Sequence, residues 1–164
     1  MSYKLGSLFM FNYYLGLGTN LGDKRANLLR AVDEIEQRIG RKVCLSRFYE
    51  TEPWGYESTN TYLNAVVCIE SSLPPMELLA QTQVIEQELG RMHKSVNGVY
   101  ADRLIDIDIL LMGDLVLQTE VLTIPHPLMH QRLFVMEPLI EIAPTVVHPQ
   151  LKMTVCEIFN NLKR

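Results

Sequence analysis

An alternation of acidic and apolar residues in the second half of the chain places the strongest constraint on the fold. Asp106 and Asp108 alternate with Ile105, Ile107 and Ile109. Successive side chains of a strand point to opposite faces, so this pattern predicts a strand with its isoleucines in a core and its carboxylates on the other face. Two carboxylates on the same side of a strand lie about 6.7 Å apart and can bind one divalent cation together with ligand oxygens. An ordinary strand with one solvated face is the simpler alternative.

Basic residues precede this strand in a glycine-containing loop. Arg91, His93, Lys94 and Arg103 lie within it, together with Tyr100. Mg²⁺ in proteins is usually bound by one or two carboxylates and by the phosphates of a substrate. An acidic strand next to a basic loop therefore indicates a site for a metal and a phosphorylated ligand.

Length, charge and cysteine content limit the class of protein. The chain has 164 residues, which predicts one domain spanning 1–164, with 1–11 as an N-terminal extension. The formal net charge of −4 argues against a general nucleic-acid binder, but it allows a nucleotide ligand. Three cysteines without zinc spacing predict free thiols and a cytoplasmic location. No segment is long and apolar enough to predict a membrane span or a signal peptide.

The order of predicted elements is β-α-β-β-α-β, which is typical of a ferredoxin-like α+β fold with a mainly antiparallel sheet. Two helices are expected to cover one face of the sheet, and a hairpin turn at Gly113-Asp114 is expected to lead into an added strand at 115–118. Residues 50–61 read as a loop. The predicted core strands are 12–18, 43–49, 62–69 and the aspartate strand; the predicted helices are 24–38, 74–90, a short stretch at 128–134 and a terminal helix at 154–162.

The glycines at the end of the first strand do not form a recognised phosphate loop. Gly16, Gly18 and Gly22 are spaced neither as a dinucleotide fingerprint nor as a Walker A loop. They predict a tight connection between strand and helix, with Asp23 as the N-cap. Gly40 is expected to end the same helix at its C′ position.

Aromatic residues and an amide surround the second loop. Tyr62 and Asn64 are two residues apart and share a face of the predicted strand, while Thr51 and Trp54 lie in the preceding segment. A ring beside an amide that both donates and accepts is suited to a flat heterocycle with amide edges. From these residues alone, a core tyrosine and a turn-forming asparagine are slightly favoured.

Further polar residues are candidates for the same cleft. Gln83 and Glu86 lie one helical turn apart, although solvated positions on a helix are the commoner explanation. His126 lies between two prolines that restrict its backbone, and Arg132 and Phe134 follow as a possible phosphate ligand and stacking ring. His130 and His148 have no partner at ligand spacing, and no role is assigned to them.

Together these segments resemble the 6-hydroxymethyl-7,8-dihydropterin pyrophosphokinase family of folate biosynthesis. The resemblance runs in the family's order over nearly the whole chain from Asn12. Its motifs are Gly18-Thr-Asn20-Leu-Gly22, Tyr49-x-Thr51-x-Pro53-x-Gly55, Tyr62-Leu-Asn64-Ala, Glu86 through Gly90-Arg91, Arg103-x-x-Asp106-Ile-Asp108-Ile-Leu, and Pro125-His126-Pro127 with Arg132-x-Phe134.

The resemblance implies transfer of a pyrophosphoryl group from ATP to the hydroxymethyl oxygen of the pterin, with release of AMP. It implies that Asp106 and Asp108 bind two Mg²⁺ ions, and that Arg91 and Arg103 steady the transferring phosphates. The implied pterin contacts are Thr51, Trp54, Tyr62, Asn64 and Phe134; the implied ATP contacts are Gln83, Glu86, Arg91, His93, Tyr100, Arg103, Ile109, His126 and Arg132.

The chain departs from the family pattern mainly in the basic loop. His93 stands where a further arginine is common, Asp102 lies beside Arg103, and the loop is longer. Trp54 stands where leucine is common and preserves an apolar contact.

Two other functions remain open from the sequence: a palm-type nucleotidyltransferase and a non-catalytic ferredoxin-like domain that binds small molecules. The expected partners are small molecules, without nucleic acid or membrane, and the expected state is a monomer, with a homodimer as the alternative.

Overall fold

The computed structural model describes residues 9–52, 61–90 and 104–164. The elements of the sheet and all of the helices named below lie in these ranges. Several residues of the predicted site lie outside these ranges: Trp54, Arg91, His93, Tyr100 and Arg103, with the atypical Asp102.

An antiparallel sheet forms the centre of the molecule. Its strands are β1 Phe11–Thr19, β2 Arg41–Leu45, β3 Tyr49–Thr51, β4 Tyr62–Ser71 and β5 Asp106–Met112. They are arranged in the order β2-β4-β1-β5, with β3 also paired to β4. Helix α1, Lys24–Arg38, and helix α2, Pro75–Gly90, connect them. This arrangement confirms the predicted ferredoxin-like α+β core.

Helix α1 has the predicted bounds because its local signals agree with one another. The Asp23 carboxylate accepts a hydrogen bond from the Ala26 N–H at 3.1 Å, which caps the first turn. Leu28, Val32 and Ile35 are buried against the sheet. Gly40 follows the helix, but its φ is not positive, so it does not form the predicted left-handed C′ cap. A Cβ at this position would overlap the main-chain carbonyl of Glu70, and this close approach explains the glycine.

The sheet is covered on both faces. Residues such as Leu15, Val67 and Ile107 pack with α1 and α2 in one core. Val66 and Leu110 point to the other face and pack in a second core. Helix α3, Leu133–Ile142, and helix α4, Val155–Lys163, contribute to this second core. The predicted layer of two helices is therefore right for one face only, because the amphipathic C-terminal region forms a further layer.

The region after β5 differs most from the predictions. Gly113 adopts a φ of 51°, and the Leu115 N–H donates to the Met112 carbonyl, so a turn forms where predicted. The strand after it does not pair with β5, however. Strand β6, Leu117–Gln118, pairs with β7, Thr123–Ile124. The expected hairpin with β5 is wrong, because β6 forms its own short hairpin with β7, which begins five residues after it.

Other boundaries also moved. The predicted strand at 43–49 is divided into β2 and β3, and the predicted loop at 50–61 begins within β3. The short stretch at 128–134 is a 3₁₀ turn, Met129–Gln131, followed by the longer α3. A hairpin of β8, Val147–His148, and β9, Met153–Thr154, precedes α4. Across the ranges that the structure describes, no helix has the length and apolar character needed to span a bilayer.

Candidate active site

The C-terminal end of β1 forms the floor of the candidate site. Gly18 lies opposite Asn64 on β4 and opposite Asp106 on β5. Directly opposed residues of antiparallel strands share a face, so Asn64 and Asp106 flank Gly18 on one side of the sheet. Neighbouring strands are about 4.8 Å apart, which separates the two flanking backbones by about 10 Å. The Asn64 amide and the Asp106 carboxylate thus lie on either side of Gly18, on the same face of the sheet.

Gly18 is needed in this floor because it has no side chain. A Cβ there would lie 3.0 Å from the Asn64 Oδ1 and 3.6 Å from the Tyr62 ring. At Gly16, the nearest atom to a built Cβ is a Leu110 methyl at 3.4 Å, an ordinary contact. The predicted tight connection between strand and helix is correct for Gly22, which has a φ of 64°. Gly16 and Gly18 instead lie inside β1. The cross-strand partners of Gly18 explain why this residue is a glycine, and these partners could not be predicted from its neighbours in sequence.

The Asn64 amide is held in one orientation. Its side chain is buried, and its Nδ2 donates to the Thr51 hydroxyl at 2.6 Å. Thr51 lies opposite Tyr62 in the pairing of β3 with β4. Tyr62 is half-buried and lies on the same face as Asn64. The structure therefore brings together three of the predicted pterin-contacting residues, with Thr51 fixing the orientation of the amide.

Asp106 and Asp108 lie on β5 in the predicted alternating pattern. Both aspartates are half-buried, whereas Ile107 and Ile109 are buried in the core of the opposite face. Within the described ranges, no group of three or more histidine, cysteine, aspartate or glutamate residues could bind a metal. Two carboxylates with all further ligands supplied by water or phosphate oxygens suit Mg²⁺, which prefers oxygen and rarely occupies all-protein cages. The donor set of this face fits such an ion.

Glu86 supports the aspartate strand from α2. Its Oε2 accepts a hydrogen bond from the Ile107 N–H at 2.9 Å. Strand β5 is at the edge of the sheet, so this N–H points away from β1 and needs a partner. Glu86 therefore fixes the main chain between the two aspartates. Gln83, one turn earlier on α2, is exposed.

His126, Arg132 and Phe134 lie near the start of α3. The His126 N–H donates to the Leu110 carbonyl, and its Nδ1 accepts from the Leu128 N–H at 3.2 Å. Burial, together with the charge of Arg132, lowers the pKa of His126 to about 4. The imidazole is therefore neutral at pH 7, with its proton on Nε2. The Arg132 guanidinium carbon lies 5.5 Å from the centroid of the Phe134 ring.

His130 and His148 lie side by side although they are far apart in sequence. Their ring centroids are 6.2 Å apart in an edge-to-face arrangement. The His148 Nδ1 accepts from the N–H groups of Gln150 and Leu151, an ordinary turn-stabilising role.

Comparison with known proteins decides the family. The model of the 7,8-dihydro-6-hydroxymethylpterin-pyrophosphokinase family matches residues 14–144. The chain belongs to this family. A 2-amino-4-hydroxy-6-hydroxymethyldihydropteridine pyrophosphokinase of Porphyromonas gingivalis is 53% identical over 138 residues, covering 84% of this chain and 93% of that protein. The corresponding pyrophosphokinase of Aquifex aeolicus is 41% identical over 140 residues, covering 85% of each chain.

Solved structures agree in fold with the pyrophosphokinase family. A Plasmodium falciparum HPPK-DHPS crystal structure with pteroate superposes with a TM-score of 0.74 at 16% identity. It covers 93% of this chain, which spans 44% of that longer protein. The protein is therefore an ATP-dependent pyrophosphokinase of folate biosynthesis, as the sequence predicts, and the nucleotidyltransferase and non-catalytic alternatives are set aside.

Proposed function

We propose that this pyrophosphokinase binds the pterin on the β4 side of Gly18 and the triphosphate of ATP on the β5 side. The observation that supports this division most directly is the cross-strand row of Asn64, Gly18 and Asp106. In this row, an amide that would read the edge of the heterocycle lies near a carboxylate that would bind cations. The hydroxymethyl oxygen of the acceptor and the β-phosphate of ATP would then meet above a residue without a side chain.

On the acceptor side, the orientation of Asn64 determines which heterocycle is accepted. Because Thr51 holds one amide hydrogen, the carbonyl oxygen and the second hydrogen remain for the donor and acceptor edge of a pterin. The rings of Tyr62 and Phe134 would contact the two faces of the heterocycle, with Trp54 as a further apolar contact. Stacking on aromatic rings and pairing with a buried amide together select a flat, polar-edged ligand.

On the nucleotide side, Asp106 and Asp108 would bind two Mg²⁺ ions, which neutralise charge on the phosphates when bound. Arg132 and a neutral His126 would contact the phosphates or the ribose, with Nε2–H of the histidine as a donor. Gln83 and Glu86 would line the same side. The Ile109 side chain lies in the core of the opposite face, so a nucleotide would meet only its main chain.

Transfer of the pyrophosphoryl group requires mainly positioning and charge compensation from the protein. The pterin hydroxyl oxygen attacks the β-phosphorus of ATP and its proton is released to solvent, while the bond from this phosphorus to the oxygen bridging to the α-phosphate breaks and AMP leaves with that oxygen. Asn64 and the aromatic rings orient the attacking hydroxyl. Arg91 and Arg103, outside the described residues, are proposed to stabilise the negative charge that spreads over the transferred group.

The identity of the nucleotide product tests this reaction. The protein is incubated with ATP, Mg²⁺ and hydroxymethyldihydropterin, and AMP is expected to accumulate only when the pterin is present. Asp106→Asn and Asp108→Asn should each lower turnover at least about a hundredfold, because a carboxylate ligand of the cation is lost. Asp114→Asn is the matched control, since this exposed aspartate lies in the turn after β5. Accumulation of ADP would contradict the proposed transfer, and full activity of either site variant would contradict the metal assignment.

We also propose a single catalytic domain that acts in the cytoplasm as a monomer on small molecules, without nucleic acid. The free state of Cys44, Cys68 and Cys156 supports a reducing compartment. A homodimer is the alternative, and light scattering at micromolar concentration distinguishes the two.

A further inference from the structure

Glu141, near the C-terminal end of α3, connects this helix to the start of β3. Its carboxylate accepts two contacts from the Arg47 N–H, at 3.0 and 3.2 Å, and one from the Tyr49 hydroxyl at 2.6 Å. The Arg47 Nε donates to the same carboxylate at 3.3 Å. Neither the sequence motifs nor the reaction described above assigns a function to this glutamate.

The contacts of Glu141 differ in importance. The Arg47 side chain is 80% exposed, so solvent screens its ion pair with Glu141. The main-chain N–H of Arg47 and the hydroxyl of Tyr49 are better anchors, because the first belongs to the backbone and the second to a rigid aromatic side chain. The pKa of Tyr49 is raised, chiefly by its hydrogen bond to Glu141. These two contacts therefore fix the position of β3 relative to α3.

Both connected elements carry residues of the proposed pterin pocket. Tyr49 lies opposite Asn64 in the register of β3 with β4, and Thr51, two residues later, fixes the Asn64 amide. Helix α3 carries Phe134 near its first residue. A shift of β3 against α3 would change the orientation of the amide and its separation from the Phe134 ring.

We infer that Glu141 is a positioning residue for the acceptor pocket, which holds the strand that orients Asn64 against the helix that carries Phe134. This inference rests on the proposed function. Glu141 contacts neither substrate, and it acts through Tyr49 and the backbone of Arg47. Losing this connection should weaken pterin binding more than the chemical step or ATP binding, since the aspartates lie on the opposite side of Gly18.

The test compares Glu141→Ala, Glu141→Gln and Tyr49→Phe with Glu137→Ala. Glu137 lies one turn earlier on α3, and its side chain makes no hydrogen bond or ion pair within the described part of the chain, so its replacement controls for the charge and for helix propensity. Initial rates are measured while each substrate is varied, and thermal unfolding of every variant is recorded. We expect KM for the pterin to rise about tenfold in Glu141→Ala, with kcat and KM for ATP within about twofold of wild type.

Glu141→Gln should restore part of the loss, because its amide oxygen still accepts from the Arg47 N–H, and Tyr49→Phe should show a smaller loss. If Glu141→Ala does not fold, these two milder variants carry the same test. The inference is overturned if the folded Glu141 and Tyr49 variants match Glu137→Ala, or if both substrates are affected equally. A wild-type enzyme that forms no pterin-dependent AMP would instead refute the proposed function, so the two failures are distinguishable.

Discussion

Replacing Gly18 by alanine tests the floor of the site, because it adds a methyl group between the two substrate sides. The new Cβ would lie 3.0 Å from the Asn64 Oδ1, which is tighter than ordinary contact. The amide cannot simply move away, since its Nδ2 is bound to Thr51 at 2.6 Å. It must therefore rotate, by a few tenths of an ångström at the oxygen, out of the orientation that reads the heterocycle.

The expected magnitudes separate stability from binding. Overpacking typically costs about 1–3 kcal/mol, and alanine recovers about 0.5–1 kcal/mol by restricting the unfolded chain, since Gly18 does not have a positive φ. The net loss of stability is thus at most about 2.5 kcal/mol, or about 5–10 °C in Tm for a domain of this size. A misaligned amide that no longer pairs with the ligand should weaken pterin binding about tenfold to a hundredfold.

The assay measures pterin binding by calorimetry in the presence of a non-hydrolysable ATP analogue, together with Tm. Gly16→Ala is the matched control, because it adds the same methyl on the same strand and face, 3.4 Å from a Leu110 methyl. ATP affinity should change little in Gly18→Ala, since the nearest atoms to the new Cβ belong to Asn64 and Tyr62. Equal pterin affinity in the two alanine variants would refute the reasoning.

Two further predictions concern the polar contacts of the site. Thr51→Val keeps the shape of the side chain but leaves a buried Asn64 donor unpaired, so stability should fall by about 1–3 kcal/mol in urea unfolding, and an unchanged midpoint would contradict the role of this bond. The pKa of His126 is lowered to about 4, so between about pH 6.5 and 4 the unfolded chain binds a proton that the folded chain excludes, and stability falls as the pH falls. Solvent exposure of the ring reduces the full effect to about 1–2 kcal/mol, and His126→Gln should flatten the Tm profile between about pH 4 and 6.5. His148, whose pKa is also lowered, titrates in both proteins and cancels in the comparison. A profile identical to wild type would contradict the burial of this imidazole.

The parts of the fold that could be predicted from the sequence are those determined by local periodicity. Helix α1 combines an N-cap with an apolar stripe, so its bounds could be predicted from the sequence. The alternation around Asp106 and Asp108 predicted strand β5 and its two faces, but not its bounds. The pairing of β6 with β7 could not be predicted, because each strand has only two residues, too few to show an alternation in the sequence. The division at 46–48 follows from Ser46, whose hydroxyl accepts the Val66 N–H from across the sheet.

The same distinction applies to the site. Asp106 and Asp108 are conspicuous because their pattern is local. Gly18 and Glu141 derive their significance from partners far away in sequence: Asn64 for the glycine, and residues 92 and 94 positions earlier for the glutamate. In the sequence, a close approach between strands is visible only as a glycine. A glutamate whose carboxylate accepts a hydrogen bond from a backbone N–H cannot be distinguished there from a solvated glutamate.

The covering of the second sheet face explains why the site lies where it does. Val66 and Leu110 are buried beneath α3 and α4. Asn64 and Asp106 come earlier on the same two strands and on the same face, and both lie level with Gly18 at the end of β1. Helix α3 begins at Leu133, and Phe134 in its first turn packs against this second core. Helix α3 thus completes the core and carries a residue of the proposed pterin pocket, so a variant that shifts α3 should alter pterin recognition before it unfolds the protein.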